Sequence, residues 1–436
     1  MIYGGDGLTR LPADQHGRGK AAFVPFVLAG EKIEAAITEQ KPGFARAQAQ
    51  SIIDPSPHRI PPACPYFSRC GGCHYQHASY EHQLEIKRQI LVETLRRTAK
   101  VDLSVDIQVH PSPPWNYRNR SRLQVRTAPA FQAGYFKTAS HDRLAVEECP
   151  ISSPLINRGI AKLWQSGREG RVPNGIREVE FFVNADDNKM MIEVSTTADS
   201  KRAAFREWGE EFAASLAEIT GVVVFRETTK GSVKTQEKLV TIGVDYLTYQ
   251  TQEFAYRVSA GSFFQTSRFL TDELVRIVTA GQSGEVAIDL YAGVGLFSTA
   301  LGGIRHIFSV ESSQTSSADL SYNLPSNGVA VQATSEHYLA GVEKSGRFGK
   351  GTFLPHSLPK PDLAVVDPPR VGLGEGVARM LATLGAPRVI YVSCDPVTLA
   401  RDLVVLLAGG YRIQQLHLVD LFPQTYHLET VVHLAR

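Results

Sequence analysis

Asp289–Leu290–Tyr291–Ala292–Gly293–Val294–Gly295 closes an apolar run at 286–290, and its reading decides the fold of this 436-residue chain. Apolar runs recur at 307–310, 363–366 and 389–392, with helical or loop segments between them. That rhythm predicts an α/β domain over 259–436, a Rossmann-like, mainly parallel, doubly wound sheet. Such sheets bind ligands beyond the carboxyl ends of their strands, near the switch point. Gly293 and Gly295 let the backbone turn sharply and approach a ligand closely. Glu311 ends the next run, at a distance suited to ribose hydroxyls. A dinucleotide site asks for a third glycine three residues after Gly295, and Ser298 stands there instead. S-Adenosylmethionine has no pyrophosphate and does not need that glycine, so it is favoured over NAD. Tight structural turns also produce a lone Gly-x-Gly, and the surrounding strand, loop, helix and acid carry the weight here.

Upstream of this domain the pattern changes three times. Residues 1–52 read as a small OB-like β module. Runs at 24–28 and 33–37 flank a turn at Gly30, and Gly4, Gly5 and Gly7 crowd the start. That suits a compact barrel. Residues 53–104 begin with a linker marked by Pro55, Pro57, Pro61 and Pro62. A cysteine segment follows, then a helix over about 80–97 with Leu84, Ile90, Leu91 and Leu95 on its apolar stripe. Residues 105–258 read as a central α+β domain, with strands near 122–126, 179–183, 191–194 and 222–225 and a helix near 202–216.

Hydrophobic residues make up 43% and charged residues 21% of the chain, which excludes a disordered, collagenous or small disulfide-stapled protein. No apolar run is long enough for a transmembrane helix. The start at Met1–Asp6 has no basic, apolar leader, so a cytoplasmic location is expected. The net charge of +2 neither demands nor excludes a nucleic-acid partner. Five cysteines, Cys64, Cys70, Cys73, Cys149 and Cys394, form an odd, sparse set that fits a reducing compartment.

Three strand ends carry candidate chemistry. Asp367–Pro368–Pro369–Arg370 is a stiff turn able to project an acid into a cleft, or simply a rigid loop. Such turns recur in methyltransferases acting on planar nitrogenous bases. Ser393–Cys394–Asp395–Pro396 places a cysteine where a strand gives way to a helix. A helix start favours thiolate, which points to a nucleophile over a buried small hydrophobe. His427–Leu428–Glu429 alone would be an ordinary strand acid. Beside a cysteine and a methyl donor it acquires a task. Carbon 5 of uracil is a poor nucleophile until a thiolate adds at carbon 6, and a base must then remove the carbon 5 proton so that the thiolate can leave.

In this order the residues resemble the bacterial RNA (uracil-C5)-methyltransferases, especially the 23S rRNA enzymes with an iron–sulfur cluster. The matching pieces are Cys64-x5-Cys70-x2-Cys73, Cys149–Pro150, Asp289–Gly295, Asp367–Arg370, Ser393–Pro396 and His427–Glu429. The resemblance implies a class I methyltransferase domain with Cys394 as nucleophile and Glu429 as base. It assigns Gln265, Tyr291 and Glu311 to the methyl-donor site, beside the Gly293–Gly295 loop, and puts Asp367 at the boundary between cofactor and substrate. It makes the N-terminal module a TRAM domain that binds RNA. Two departures stand out: Leu296 replaces an asparagine common in relatives, and the barrel's usual first strand is expected to be missing.

Four cysteines, Cys64, Cys70, Cys73 and Cys149, suffice for one tetrahedral zinc or one cubane cluster, and spacing alone does not choose. The resemblance implies [4Fe-4S], closed and structural or RNA-contacting. Basic residues gather between Lys87 and Arg126, with Trp115, Tyr117 and Tyr135 nearby, as an RNA-binding surface would have them. The expected substrate is RNA, 23S rRNA ahead of tRNA. An N-methyltransferase gives Cys394 no role. A non-catalytic RNA-binding or ribosome-assembly factor leaves both Cys394 and Glu429 unexplained.

Overall fold

The computed structural model describes residues 1–12, 19–230, 233–345 and 360–436. Its largest sheet has eight strands in the spatial order Gly328–Gln332, Gly303–Glu311, Ser283–Leu290, Leu363–Val366, Arg388–Ser393, Glu429–Ala435, Arg412–Val419 and Ile107–His110. The first five run parallel, and Glu429–Ala435 is antiparallel to both its neighbours. The connections leave in opposite directions on either side of Ser283–Leu290, so the crevice at the switch point opens above its carboxyl end. The strands here are buried on both faces, as a parallel sheet covered by helices requires.

Ile107–His110 pairs in parallel with Arg412–Val419 at the edge of this sheet. The boundary read at 105 therefore moves: the chain enters the central domain only after completing the C-terminal sheet. The helix Tyr80–Thr94 belongs there too. Ile86, Ile90, Leu91 and Leu95 share one core with Val286, Leu399 and Leu403. Its apolar stripe would otherwise face water.

The central domain is built on a seven-stranded sheet. The expected helix is found at Arg202–Ala214. A second helix, Pro154–Arg168, was not read from the sequence, although its start is well marked. Ser153 caps it by accepting the N–H of Ile156, and Pro154 occupies the first helical position. Leu155, Ile156, Ile160 and Leu163 bury against Phe181 and Ile192. A hairpin, Tyr246–Gln250 with Ala255–Ser259, then leads into the C-terminal domain and packs in its core.

The N-terminal module is an open four-stranded sheet among the described residues, in the order Asp6–Arg10, Ala21–Pro25, Phe44–Asp54, Lys32–Gln40. The runs expected to flank a turn do not pair with each other. Phe26 adopts φ +60 and ends the Ala21–Pro25 strand. That strand instead runs parallel to Phe44–Asp54, while Lys32–Gln40 pairs antiparallel with it. Met1 and Tyr3 leave the module and pack against the C-terminal core.

Candidate active site

A cleft of about 880 Å³ opens at the carboxyl ends of the parallel strands. Gln265, Tyr291, Gly293, Glu311, Asp367, Cys394 and Glu429 all line it, although they are scattered over 165 positions of sequence. Gly295 does not line the cleft. It makes the turn behind it, at φ +93, where a Cβ would lie 2.9 Å from a methyl of Leu320. Leu296 faces the core, not the cleft, and its carbonyl accepts the hydroxyl of Tyr256 at 3.0 Å.

On one side the glycine loop is tied to Glu311. One carboxylate oxygen accepts the N–H of Gly293 at 3.0 Å and the other accepts the N–H of Ser313 at 2.6 Å. A carboxylate has about four lone-pair sites, so ribose hydroxyls still have acceptors available. Ser298, where a dinucleotide site would need glycine, has its own work. Its hydroxyl donates to the buried carboxylate of Asp289 and lies 2.7 Å from the hydroxyl of Ser309. Burial pushes Asp289 up to about 7, with a smaller contribution from Glu311.

The loop carrying Gln265 is held by Asn119, Glu193 and Asp319, which carry no signal in the sequence, and by Arg120, expected on an RNA-binding surface. Asn119 donates to the Gln265 carbonyl at 3.0 Å, and Arg120 donates to the Ser262 carbonyl at 2.8 Å. Glu193 accepts the Gly261 N–H at 3.0 Å, and Asp319 accepts the Ser262 hydroxyl at 2.6 Å. Three of these four lie on strands or turns of the central domain, so no local motif could have announced them. The Gln265 side chain itself donates to Asp367 at 3.4 Å.

On the other side stand Asp367, Cys394 and Glu429. Asp395 caps the helix Pro396–Ala408 by accepting the N–H groups of Val397 and Thr398, which fixes the residue after Cys394. Glu429 is the first residue of its strand and is almost fully buried. Burial, reinforced by Asp367, raises its carboxyl well above the usual range. Asp367 is pushed up to about 7 by burial and by Asp289. The expectation that a helix start favours the Cys394 thiolate is overturned for the free protein. Burial, then Glu429 and Asp367, push this thiol up to about 12, and Arg370 offsets them only in part. A helix terminus contributes about 0.3–1 kcal/mol, less than desolvation beside two acids.

Cys64, Cys70, Cys73 and Cys149 meet at a second cavity, together with Gln76, Tyr135 and Arg118. Gln76 accepts the Cys64 N–H and Asn157 accepts the Cys149 N–H. Burial pushes Cys70 up to about 11 and raises Cys64 and Cys73. Among the described residues no group of three or more His, Cys, Asp or Glu side chains is arranged to hold a metal ion. The donor set of four sulfurs about one cavity still has the chemistry of a thiolate-ligated group. Arg118 lines both this cavity and the cleft.

The expected basic surface is partly an interior. Lys87 is fully buried and donates to Asp420 at 2.6 Å. Arg120 is paired with Glu180 and Glu193. Tyr117 is fully buried, with its hydroxyl on the Pro423 carbonyl. These groups join domains. Arg96 and Arg97, both paired with Glu93, stay exposed. No helix among the described residues is long and apolar enough to cross a membrane.

A parallel sheet with this glycine loop, acid and cleft defines an S-adenosylmethionine-dependent methyltransferase. Residues 79–436 match the family model described as tRNA (Uracil-5-)-methyltransferase, and the chain belongs to that family of RNA (uracil-C5)-methylating enzymes. It is 30% identical over 432 residues to an uncharacterized RNA methyltransferase of Listeria monocytogenes, covering 94% of this chain and 92% of the relative. It is 29% identical to an uncharacterized RNA methyltransferase of Aquifex aeolicus, covering 100% and 96%. In fold it is similar to the Pyrococcus abyssi tRNA (uracil-54, C5)-methyltransferase in complex with S-adenosyl-L-homocysteine, with TM-score 0.72, 23% identity, and coverage of 99% of this chain and 100% of that one.

Proposed function

We propose that this protein methylates carbon 5 of one uridine in a structured RNA, with 23S rRNA the favoured substrate, through a transient bond from Cys394 to carbon 6. The observation that carries the reading is that Cys394, Asp367 and Glu429 share one cleft with Gln265, Tyr291 and Glu311. S-Adenosylmethionine supplies an electrophilic methyl group when bound. Glu311 and the Gly293 loop would hold its ribose end, and Gln265 and Asp367 would face its reactive end.

Cys394, having lost its thiol proton to solvent, adds to carbon 6 of the uracil as the thiolate, so that the ring electrons move toward carbon 5 and the carbon 4 carbonyl. Once carbon 5 carries the methyl group, Glu429 takes its remaining proton. The carbon 5–carbon 6 double bond re-forms and the sulfur leaves. A carboxyl held above its usual range is a stronger base at neutral pH than an exposed glutamate, which suits this step. Arg370, exposed at the rim and 3.4 Å from His427, is placed to meet the RNA. The target base has to leave its stack to reach a cysteine at the cleft floor.

RNA carrying 5-tritiated uridine tests the reaction. Tritium release from a 23S rRNA substrate and not from tRNA is expected. Release only from tRNA transfers the reading to tRNA, and release from neither leaves a binding factor. The preference for rRNA rests on the family resemblance of the N-terminal module and the four cysteines, and a tRNA enzyme similar in fold spans the same length, so tRNA is the alternative substrate. Four sulfurs lining one cavity suit either zinc or a [4Fe-4S] cluster, and the family resemblance favours the cluster. Anaerobic purification is expected to yield about four irons per chain. A stoichiometric single zinc would overturn the cluster. The protein is expected to act in the cytoplasm.

A further inference from the structure

The loop that delivers Glu429, residues 420–428, is held largely from outside its own domain's sheet. At its centre Gln424 is buried and adopts φ +68, a conformation that residues with a Cβ avoid. Gln83, 341 positions earlier on the helix Tyr80–Thr94, grips it twice. The Gln83 amide oxygen accepts the Gln424 N–H at 2.9 Å, and the Gln83 amide nitrogen donates to the Gln424 side-chain oxygen at 2.9 Å. A third bond, to the Ala78 carbonyl at 3.0 Å, orients the Gln83 amide. The Gln424 carbonyl accepts the N–H groups of His74 and Tyr75, the residues that follow Cys73. One helical turn beyond Gln83, Lys87 donates to Asp420 at 2.6 Å and to the Phe422 carbonyl at 2.9 Å.

Gln83, Lys87 and Gln424 do not line the cleft. The Gln83 amide and the Lys87 ammonium are spent on Gln424, Asp420 and the carbonyls of Ala78 and Phe422, so neither RNA nor cofactor contact accounts for them. A buried amide that pairs with the backbone N–H and the side-chain oxygen of a left-handed residue fixes that residue's backbone, because any other conformation leaves polar groups unpaired in the interior. The strand carrying Glu429 begins five residues later. We propose that Gln83 is a positioning residue for the base: it locks Gln424 in its left-handed conformation and so sets the approach of Glu429 to the ring bound at Cys394. The same contacts tie the cysteine segment mechanically to the base, with no electron transfer involved. The inference rests on the reading of Glu429 as the base.

The test is Gln83→Leu, which keeps the volume and removes the hydrogen bonds. Turnover should fall between about tenfold and a hundredfold, as a small misplacement of a reacting group costs. KM for RNA should stay within about twofold, and a covalent RNA–protein adduct should accumulate during turnover because its release needs the base. Adding Gln424→Gly, which accepts the left-handed conformation without strain, should restore part of the loss. Turnover within about twofold of the parent, or slow turnover without adduct, overturns the proposal. If Gln83→Leu does not fold, the comparison of Gln424→Ala with Gln424→Gly decides: more adduct with alanine supports the lock, and equal adduct overturns it. Glu429→Gln is the control. If it traps no adduct the base reading itself has failed, whereas if it traps adduct and Gln83→Leu does not, only the lock has failed.

Discussion

Cys394→Ala is expected to abolish methylation, with turnover reduced about 10⁴-fold or more, as removal of a covalent nucleophile does elsewhere. The physical reason is that, among the described residues lining the cleft, Cys394 is the only thiol, and sulfur addition at carbon 6 is what raises electron density at carbon 5. Asp367 and Glu429 are carboxyls held toward their neutral forms, and Arg370 is a cation. Binding of S-adenosylmethionine, measured by calorimetry, should stay within about twofold, because on the proposed reading the glycine loop and Glu311 hold the donor independently of the sulfur. Tritium release from carbon 5 should vanish together with methyl transfer, since both follow the sulfur addition. Undiminished turnover would remove the covalent mechanism. The raised thiol adds a second check. With Cys394 pushed up to about 12, its alkylation by iodoacetamide in the free protein should be slow at neutral pH. Below that pKa the rate should climb about tenfold per pH unit, because only the thiolate reacts. A rate at Cys394 that is fast and flat from pH 7 to 9 would mean that the free site already holds a thiolate.

Glu429→Gln is expected to reduce turnover by about 10²–10⁴-fold, the usual worth of a positioned base, and to leave the protein bonded to its RNA. The amide keeps the shape of the side chain and its place at the start of Glu429–Ala435. It removes the one electron pair able to take the carbon 5 proton. Sulfur addition and methyl transfer come before that step, so the block falls after both, and the adduct should survive denaturing electrophoresis. The substitution also relieves a buried carboxyl whose charged form is disfavoured by burial and by Asp367. Thermal stability should therefore not fall, which separates a chemical from a folding effect. Absence of adduct under turnover would move the base to another residue.

The parallel strands and the glycine loop were legible because burial on both faces writes continuous apolar runs, and Leu363–Val366 is found at the expected residues. Helix Pro154–Arg168 was passed over although its Ser-Pro cap was present, because the segment interrupts a stretch otherwise written in strands. Ile107–His110 was assigned to the wrong domain, since a four-residue edge strand carries no sign of its partner. The basic residues around Lys87 and Arg120 were read as surface. A lysine's charge says nothing about whether an aspartate 333 positions away will bury it.

The chain's order of residues determined the chemistry proposed for it: a cysteine, a candidate base and a candidate donor loop, each at the end of a strand, because local backbone requirements and reactive groups are written in short contiguous motifs. The tertiary structure alone decided how those groups are tuned and held. Burial beside Glu429 and Asp367 sets the state of Cys394, and Asn119 from the central domain and Gln83 and Lys87 from a helix distant in sequence fasten the loops carrying Gln265 and Glu429. Desolvation and long-range hydrogen bonds depend on which surfaces meet, and no stretch of sequence contains both partners.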